Sequence, residues 1–286
     1  MTTHVLHLPG VELTYDVLGP LPTADGRPPL LMIGQPMCAD GFATLATYFA
    51  DRTVITYDPR GLGRSVRSDG LVTNDPDGQA DDLHALITKL GAGPVEVFGS
   101  SGGAVTGLAL VTRHPGDVST LVAHEPPIIA ALPDAEAARR AQAGFLEAYQ
   151  AKGFGAGMAG FMAMISWQGE FTDAYFAQPA PDPAAFGLPA EDDGERDDPL
   201  LSDHSLAVTA YRPDVAALTS SSTRIVVAVA DESGESFTGR TARGTAALLG
   251  QEATVFPSHH GGFMGGEGGY AGKPAEFAQT LRAVLA

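Results

Sequence analysis

In the first half of the chain, short apolar runs rich in β-branched residues alternate with longer stretches whose apolar positions recur every three or four residues. That alternation predicts a parallel sheet with helices on its faces, because fully buried strands read as continuous apolar runs and crossover helices as amphipathic ones. Strands are expected at Val11 to Val17, Leu30 to Ile33, Thr53 to Tyr57, Val95 to Phe98 and Leu121 to Ala123. Ala39 to Phe49 and Gln79 to Leu90 carry helical spacing, and Gly91 with Gly93-Pro94 beyond it stops the second of these. Gly102 to Arg113 follows a strand with almost no intervening loop.

The rhythm breaks from Pro126 to Ser205. Ala130 to Gln150 predicts an alanine-rich helix, followed by Gly153, Gly155, Gly157 and Gly160 set among Met158, Phe161, Met162, Met164 and Trp167. The Pro, Asp and Glu-rich stretch from Gln178 to Pro199 predicts an exposed loop. Strand and helix patterns return at Arg224 to Ala230, Thr241 to Leu249 and Ala253 to Phe256, and a helix is expected from Pro274 to Ala286. A structureless loop of about 80 residues is improbable inside a compact domain. The expected organisation is therefore an α/β core formed by 1–125 and 206–286, with 126–205 inserted as a cap.

Composition narrows the function classes. With 44% hydrophobic and 18% charged residues among 286, the chain can bury a sizeable core. A net charge of −17 makes nucleic acid and anionic membrane surfaces poor partners and is read mainly as a solubility device. The single cysteine, Cys38, cannot form an internal disulfide, and no local Cys or His spacing fits a zinc site, so neither a structural metal nor a cofactor is expected. The first ten residues lack a signal-peptide pattern, and no run approaches the ~20 apolar residues of a membrane span, so a cytoplasmic protein is expected. A homodimer is compatible with this reading.

Gly99-Ser100-Ser101-Gly102-Gly103 fits G-x-S-x-G and stands between the apolar run Val95 to Phe98 and a helical stretch. Glycines two residues either side of a serine let the chain turn sharply and leave its hydroxyl exposed at the sheet edge, which makes Ser101 the candidate nucleophile. A serine hydroxyl needs a base, and His259 and His260 follow the last strand candidate, where a loop returns to the same edge. The base needs a carboxylate partner, for which two places compete. Asp231 and Glu232 follow the strand Arg224 to Ala230, while Glu125 follows Leu121 to Ala123 within His124-Glu125-Pro126-Pro127. Glu125 is preferred, because a charge at the end of a buried strand requires a partner. The oxyanion donors expected are the N–H groups of Gly102 and of Gln35, since Pro36 has none to give.

These residues, with Asp58-Pro59-Arg60-Gly61-Leu62-Gly63-Arg64-Ser65 between them, resemble the alpha/beta-hydrolase superfamily over almost the full length. Within it, Gly99-Ser100-Ser101-Gly102, His124-Glu125-Pro126-Pro127 and Glu235-Ser236-Phe237 look like the zearalenone lactonase type, whose acid is a glutamate after strand six. The resemblance implies an alpha/beta-hydrolase fold, favours His260 over His259 through the His-Gly-Gly-Phe setting, and adds weight to Glu125. It departs at Ile33-Gly34, where many relatives have His-Gly, and across the cap. Serine at the elbow excludes the relatives that attack with aspartate.

The expected function is a serine esterase or lactonase using a Ser101-His260-Glu125 triad through an acyl-enzyme. Met158, Phe161, Met162 and Trp167 are candidate substrate-binding residues, implying a mid-sized, largely apolar small-molecule ester or lactone. A carbon–carbon bond hydrolase or lyase with the same triad, and a non-catalytic ligand receptor on the same scaffold, remain as alternatives.

Overall fold

Side chains that alternate between the two faces of the strands build two cores from one sheet. The computed structural model describes residues 1–269 and 271–286. Among them, nine strands form a single sheet: β1 (Thr2–Leu8), β2 (Val11–Leu18), β3 (Leu30–Ile33), β4 (Val54–Tyr57), β5 (Val66–Arg67), β6 (Val95–Ser100), β7 (Val118–His124), β8 (Arg224–Ala230) and β9 (Thr254–Phe256). Their order is β1-β2-β4-β3-β6-β7-β8-β9, with β5 paired to β2. β2 runs antiparallel to β1, β4 and β5, and every pairing from β4 across to β9 is parallel.

The helices are α1 (Ala43–Thr47), α2 (Pro76–Leu90), α3 (Gly102–Arg113), α4 (Ala135–Lys152) and α5 (Phe154–Ser166), followed by α6 (Asp173–Phe176), α7 (Leu206–Ala210), α8 (Val215–Ser220), α9 (Phe237–Leu248) and α10 (Pro274–Leu285). On one face Leu31, Ile33 and Val97 join Leu83 and Leu86 of α2 and Val105 and Leu108 of α3. On the other, Leu30, Met32 and Phe98 meet Phe42, Phe256, Phe263 and Phe277. The two-residue period of a strand sends neighbours to opposite faces, so this central sheet is buried on both sides. Asp75 caps α2 by accepting from Gly78 N–H at 3.1 Å, and Gly91 ends it at φ 62. This is the α/β class, with a mostly parallel sheet covered by helices.

Several elements differ from the sequence expectation. β1 is a largely exposed edge strand whose alternation is blurred by polar residues, and Pro9-Gly10 turns it into β2. The expected helix Ala39 to Phe49 is a 3-10 turn over Ala39–Phe42 followed by the short α1. Between β7 and β8 the chain forms α4, α5, α6, α7 and α8 with short 3-10 turns, and the helix expected from Ala130 begins at Ala135. The glycine-rich stretch assigned no element is helix α5. A Cβ on Gly157 would lie 2.6 Å from Tyr149 Cβ, and one on Gly160 would lie 2.9 Å from Phe145 Cβ. The glycines thus let α5 lie against α4, which offsets a helix-propensity cost of about 1 kcal/mol at each.

Gly157→Val should therefore separate these helices and destabilise the protein by about 1–3 kcal/mol, the usual cost of overpacking. Urea unfolding of the variant checks this; an unchanged midpoint would mean that α4 and α5 are free to move apart.

Candidate active site

Ser101 joins β6 to α3 with no loop between them and takes φ 55 and ψ −124. A non-glycine residue held there stores about 1–3 kcal/mol of strain. Its N–H donates to His124 O at 2.9 Å and its carbonyl accepts from Ala104 N–H at 2.9 Å, so neighbouring structure fixes the turn. The first turn of α3 presses against the loop after β3. A Cβ on Gly103 would stand 2.2 Å from Ile33 O, and one on Gly102 would stand 2.7 Å from Gln35 O. Only glycine permits that approach.

The same approach brings the Gln35 loop beside the N-terminus of α3. Neither Gly102 N–H nor Gln35 N–H donates to a protein group among the described residues. The amides at a helix N-terminus favour an anion. The loop is tethered by Asp58, which accepts from Ala39 N–H at 3.0 Å, Arg64 N–H at 2.9 Å and Arg64 Nε at 2.7 Å. Burial raises the Asp58 carboxyl, but these bonds outweigh it and hold it low. Arg64 also pairs with Asp16 at 2.8 Å, tying the Asp58 to Ser65 segment to β2.

Glu125 follows β7 at φ 48 and is fully buried. Its Oε1 accepts from Ala230 N–H at 3.0 Å, and its Oε2 lies 2.6 Å from His260 Nδ1. Burial by itself would push this carboxyl up. The hydrogen bond and charge of His260, with His124 and the Ser233 hydroxyl adding to them, bring it down to about 2. The His260 side chain is 39% exposed, so its ring reaches from a buried carboxylate to solvent. Ser101 Oγ has no hydrogen-bond partner among the described residues, so the Ser101 and His260 side chains share one sheet edge without a bond between them. Such contacts often tighten only when a substrate is bound.

The other candidates lie elsewhere. Glu232 is exposed and pairs with Lys273 Nζ at 2.7 Å, and Asp231 is exposed on the surface; among the described residues neither is hydrogen-bonded to the His260 ring. His259 Nε2 faces Ala271 O at 3.2 Å and its Nδ1 accepts from Gly261 N–H. Met158, Phe161 and Trp167 pack against the helical cluster of Phe145, Tyr149 and Met164, and Met162 is half-buried on the same helix. Trp167 Nε1 donates to Glu170 O at 3.0 Å.

Sequence reasoning missed His124. Its ring is fully buried among Phe98, Phe256, Phe263 and Phe277 and stacks under His260 at 5.8 Å between centroids. Nδ1 lies 3.2 Å from Ser100 Oγ, the residue before Ser101, and Nε2 has no partner among the described residues. Position 124 ends a buried strand beside a buried carboxylate, and a polar ring there was the available signal. Burial pushes its pKa down to about 4, with Glu125 opposing and His260 assisting.

A folded pKa of about 4 against 6.5 when unfolded means that the unfolded chain binds the extra proton between those values. Stability contributed by neutral His124 is present above pH 6.5 and is lost as pH falls towards 4, by roughly 3 kcal/mol in all. His124→Phe should flatten that slope, so that the variant gains on the wild type between pH 7 and pH 4.5 in urea titrations. Parallel stability curves would show that His124 does not titrate in this window.

Comparison with known proteins supports the same architecture. The alpha/beta hydrolase fold family matches residues 28–164. An uncharacterized hydrolase of Bacillus subtilis (strain 168), YraK, is 39% identical over 122 residues, which are 42% of this chain and 43% of that protein. The match thus spans less than half the length of this curated relative. A thermophilic esterase from Thermogutta terrifontis superposes with a TM-score of 0.65 at 21% identity, covering 100% of this chain and 98% of that one. Est816, an N-acyl homoserine lactone degrading enzyme, gives a TM-score of 0.65 at 19% identity, covering 98% and 99%. Sheet order, the strained serine between β6 and α3, and these matches together show that the chain has the alpha/beta-hydrolase fold.

Proposed function

We propose that this chain is a serine-dependent carboxylic ester hydrolase acting on a mid-sized, largely apolar ester or lactone. The observation that carries the reading is the 2.6 Å contact between His260 Nδ1 and the buried Glu125 carboxylate, at the same sheet edge as the strained Ser101. Ser101 Oγ attacks the carbonyl carbon while His260 Nε2 takes its proton. Glu125 holds the Nδ1 proton and stabilises the imidazolium. The negative charge on the former carbonyl oxygen is met by the N–H groups of Gly102 and Gln35. Collapse expels the alcohol oxygen, which receives the proton from His260, and leaves an ester on Ser101. Water, deprotonated by His260, then releases the acid. In a lactone the alcohol and the acid are the two ends of one product.

A glutamate after β7 is also what motivates the lactonase branch of this proposal. The two-residue β5 pairs only with β2, so without it β7 is the sixth strand, the position of the acid in the zearalenone lactonase type. Residues 126–205 are proposed as the cap over this edge.

Fluorophosphonate labelling with peptide mapping, alongside a rate assay on short- and medium-chain p-nitrophenyl esters, tests the reading. Ser101 should carry the label, and Ser101→Ala should lose both label and turnover while its circular dichroism is unchanged. Glu125→Gln should lower kcat by roughly a hundred- to ten-thousand-fold, because the amide supports the wrong tautomer of His260. Asp231→Asn and Glu232→Gln should change kcat little. Full turnover by Ser101→Ala would overturn the proposal, and a stoichiometric ligand complex without turnover would favour a receptor instead.

A further inference from the structure

We propose that His84, His114 and Asp117 form a binding site for a divalent transition-metal ion of the zinc class, clipping α2 to the end of α3. Nitrogen or oxygen atoms of these three side chains, one from each, lie within 4.8 Å of one another. The site is remote from Ser101. Asp117 immediately precedes β7 and Glu125 immediately follows it, so a seven-residue strand of roughly 20 Å separates the two regions.

Sequence spacing hides the cluster because it is made by two elements. Asp81 and His84 stand three apart on α2, while His114 and Asp117 stand three apart just after α3. The pairs are crossed: His84 Nδ1 lies 2.7 Å from Asp117 Oδ2, and His114 Nε2 lies 2.7 Å from Asp81 Oδ1. The two rings stack with centroids 4.0 Å apart and planes 6° apart. His84 Nε2 and His114 Nδ1 have no hydrogen-bond partner among the described residues.

An imidazole held by a carboxylate on one nitrogen is oriented and made more basic at the other, as His114 is by Asp81, which is how metal-ligating histidines are commonly supported. Two imidazoles with a carboxylate suit zinc and its first-row neighbours, whereas calcium and magnesium require oxygen ligands throughout. Ligand atoms around tetrahedral zinc stand about 3.3 Å apart, so the side chains must close slightly from their present spacing. The two imidazoles have side-chain exposures of 44% and 22%, which leaves them room to turn. The metal replaces the proton shared by His84 and Asp117, and Asp81 keeps its hold on His114. The adjacent cation, Arg113, is neutralised by Asp81 at 2.8 Å, and Asp77 lies 4.0 Å from the same guanidinium. A net charge of −17 further favours cation capture.

The test uses the purified full chain stripped with a chelator. Calorimetric titration with zinc chloride should give one site per chain, and thermal unfolding should shift upward with zinc as binding to the native state requires. Cobalt(II) should develop visible d–d absorption. The His84→Asn/His114→Asn double variant should lose all three responses while keeping its near-ultraviolet circular dichroism and its Ser101 labelling. Asp81→Asn should weaken binding by about tenfold through loss of ring support. An unchanged zinc isotherm in the double variant, or no saturable binding by the wild type, would overturn the proposal. Because zinc binding is read without any ester substrate, its outcome is independent of the proposed activity.

Discussion

A carboxylate with no exposure to water must be matched by donors, and Glu125 sets that requirement at the centre of this molecule. Its position at the end of β7 obliges three separate parts of the chain to converge on it. Ala230 N–H comes from the end of β8, the Ser233 hydroxyl from the turn that follows, and His260 from the loop after β9. Removing one partner of such a buried pair typically costs 3–5 kcal/mol, far more than the intact pair contributes. The carboxylate therefore fixes where the His260 loop can sit.

Backbone strain is concentrated at the same edge and is held by the sheet itself. Among the described residues, the non-glycine positions at positive φ are Ser101, Glu125 and Ser258, which follow β6, β7 and β9. Each is tied to the chain at the end of a neighbouring strand: Ser101 N–H donates to His124 O, Glu125 N–H donates to Ala228 O, and Ser258 O accepts from Glu232 N–H. The parallel ladder thus continues past the strand ends into the loops that carry the site. Strained conformations persist where surrounding structure over-determines them, and this row of bonds supplies that excess.

How far the sequence could be read depended on whether the determinant was local. The turn at Ser101 was legible because strand, glycines and helix are contiguous, and the glycine close approaches to Ile33 and Gln35 give the motif its physical cause. Glu125 was legible because a charge just past the apolar run Leu121 to Ala123 and beside Pro126 is anomalous by itself. Helix α5 was not, because its glycines serve packing against Tyr149 and Phe145, contacts that lie in another helix. β1 was missed for the opposite reason: an exposed edge strand carries polar residues on both faces and loses its period. His84 and His114 stand thirty positions apart in number and meet only after α2 and α3 pack.

Two imidazoles lie face to face at the site, and their environments divide the work between them. His124 has no exposure, four phenylalanines around it and a pKa pushed down to about 4, so it is neutral wherever the protein is near neutral pH. His260 rests on that neutral ring with its outer side open to solvent and its Nδ1 on Glu125. In the proposed reaction a positive charge develops on His260, and a second cation beneath it would oppose that step. Burial of His124 removes the competing charge, while the Glu125 carboxylate remains the group that answers it. The unpaired Nε2 of His124 is thus the cost of having a ring that can both reach Ser100 and stay uncharged under the base.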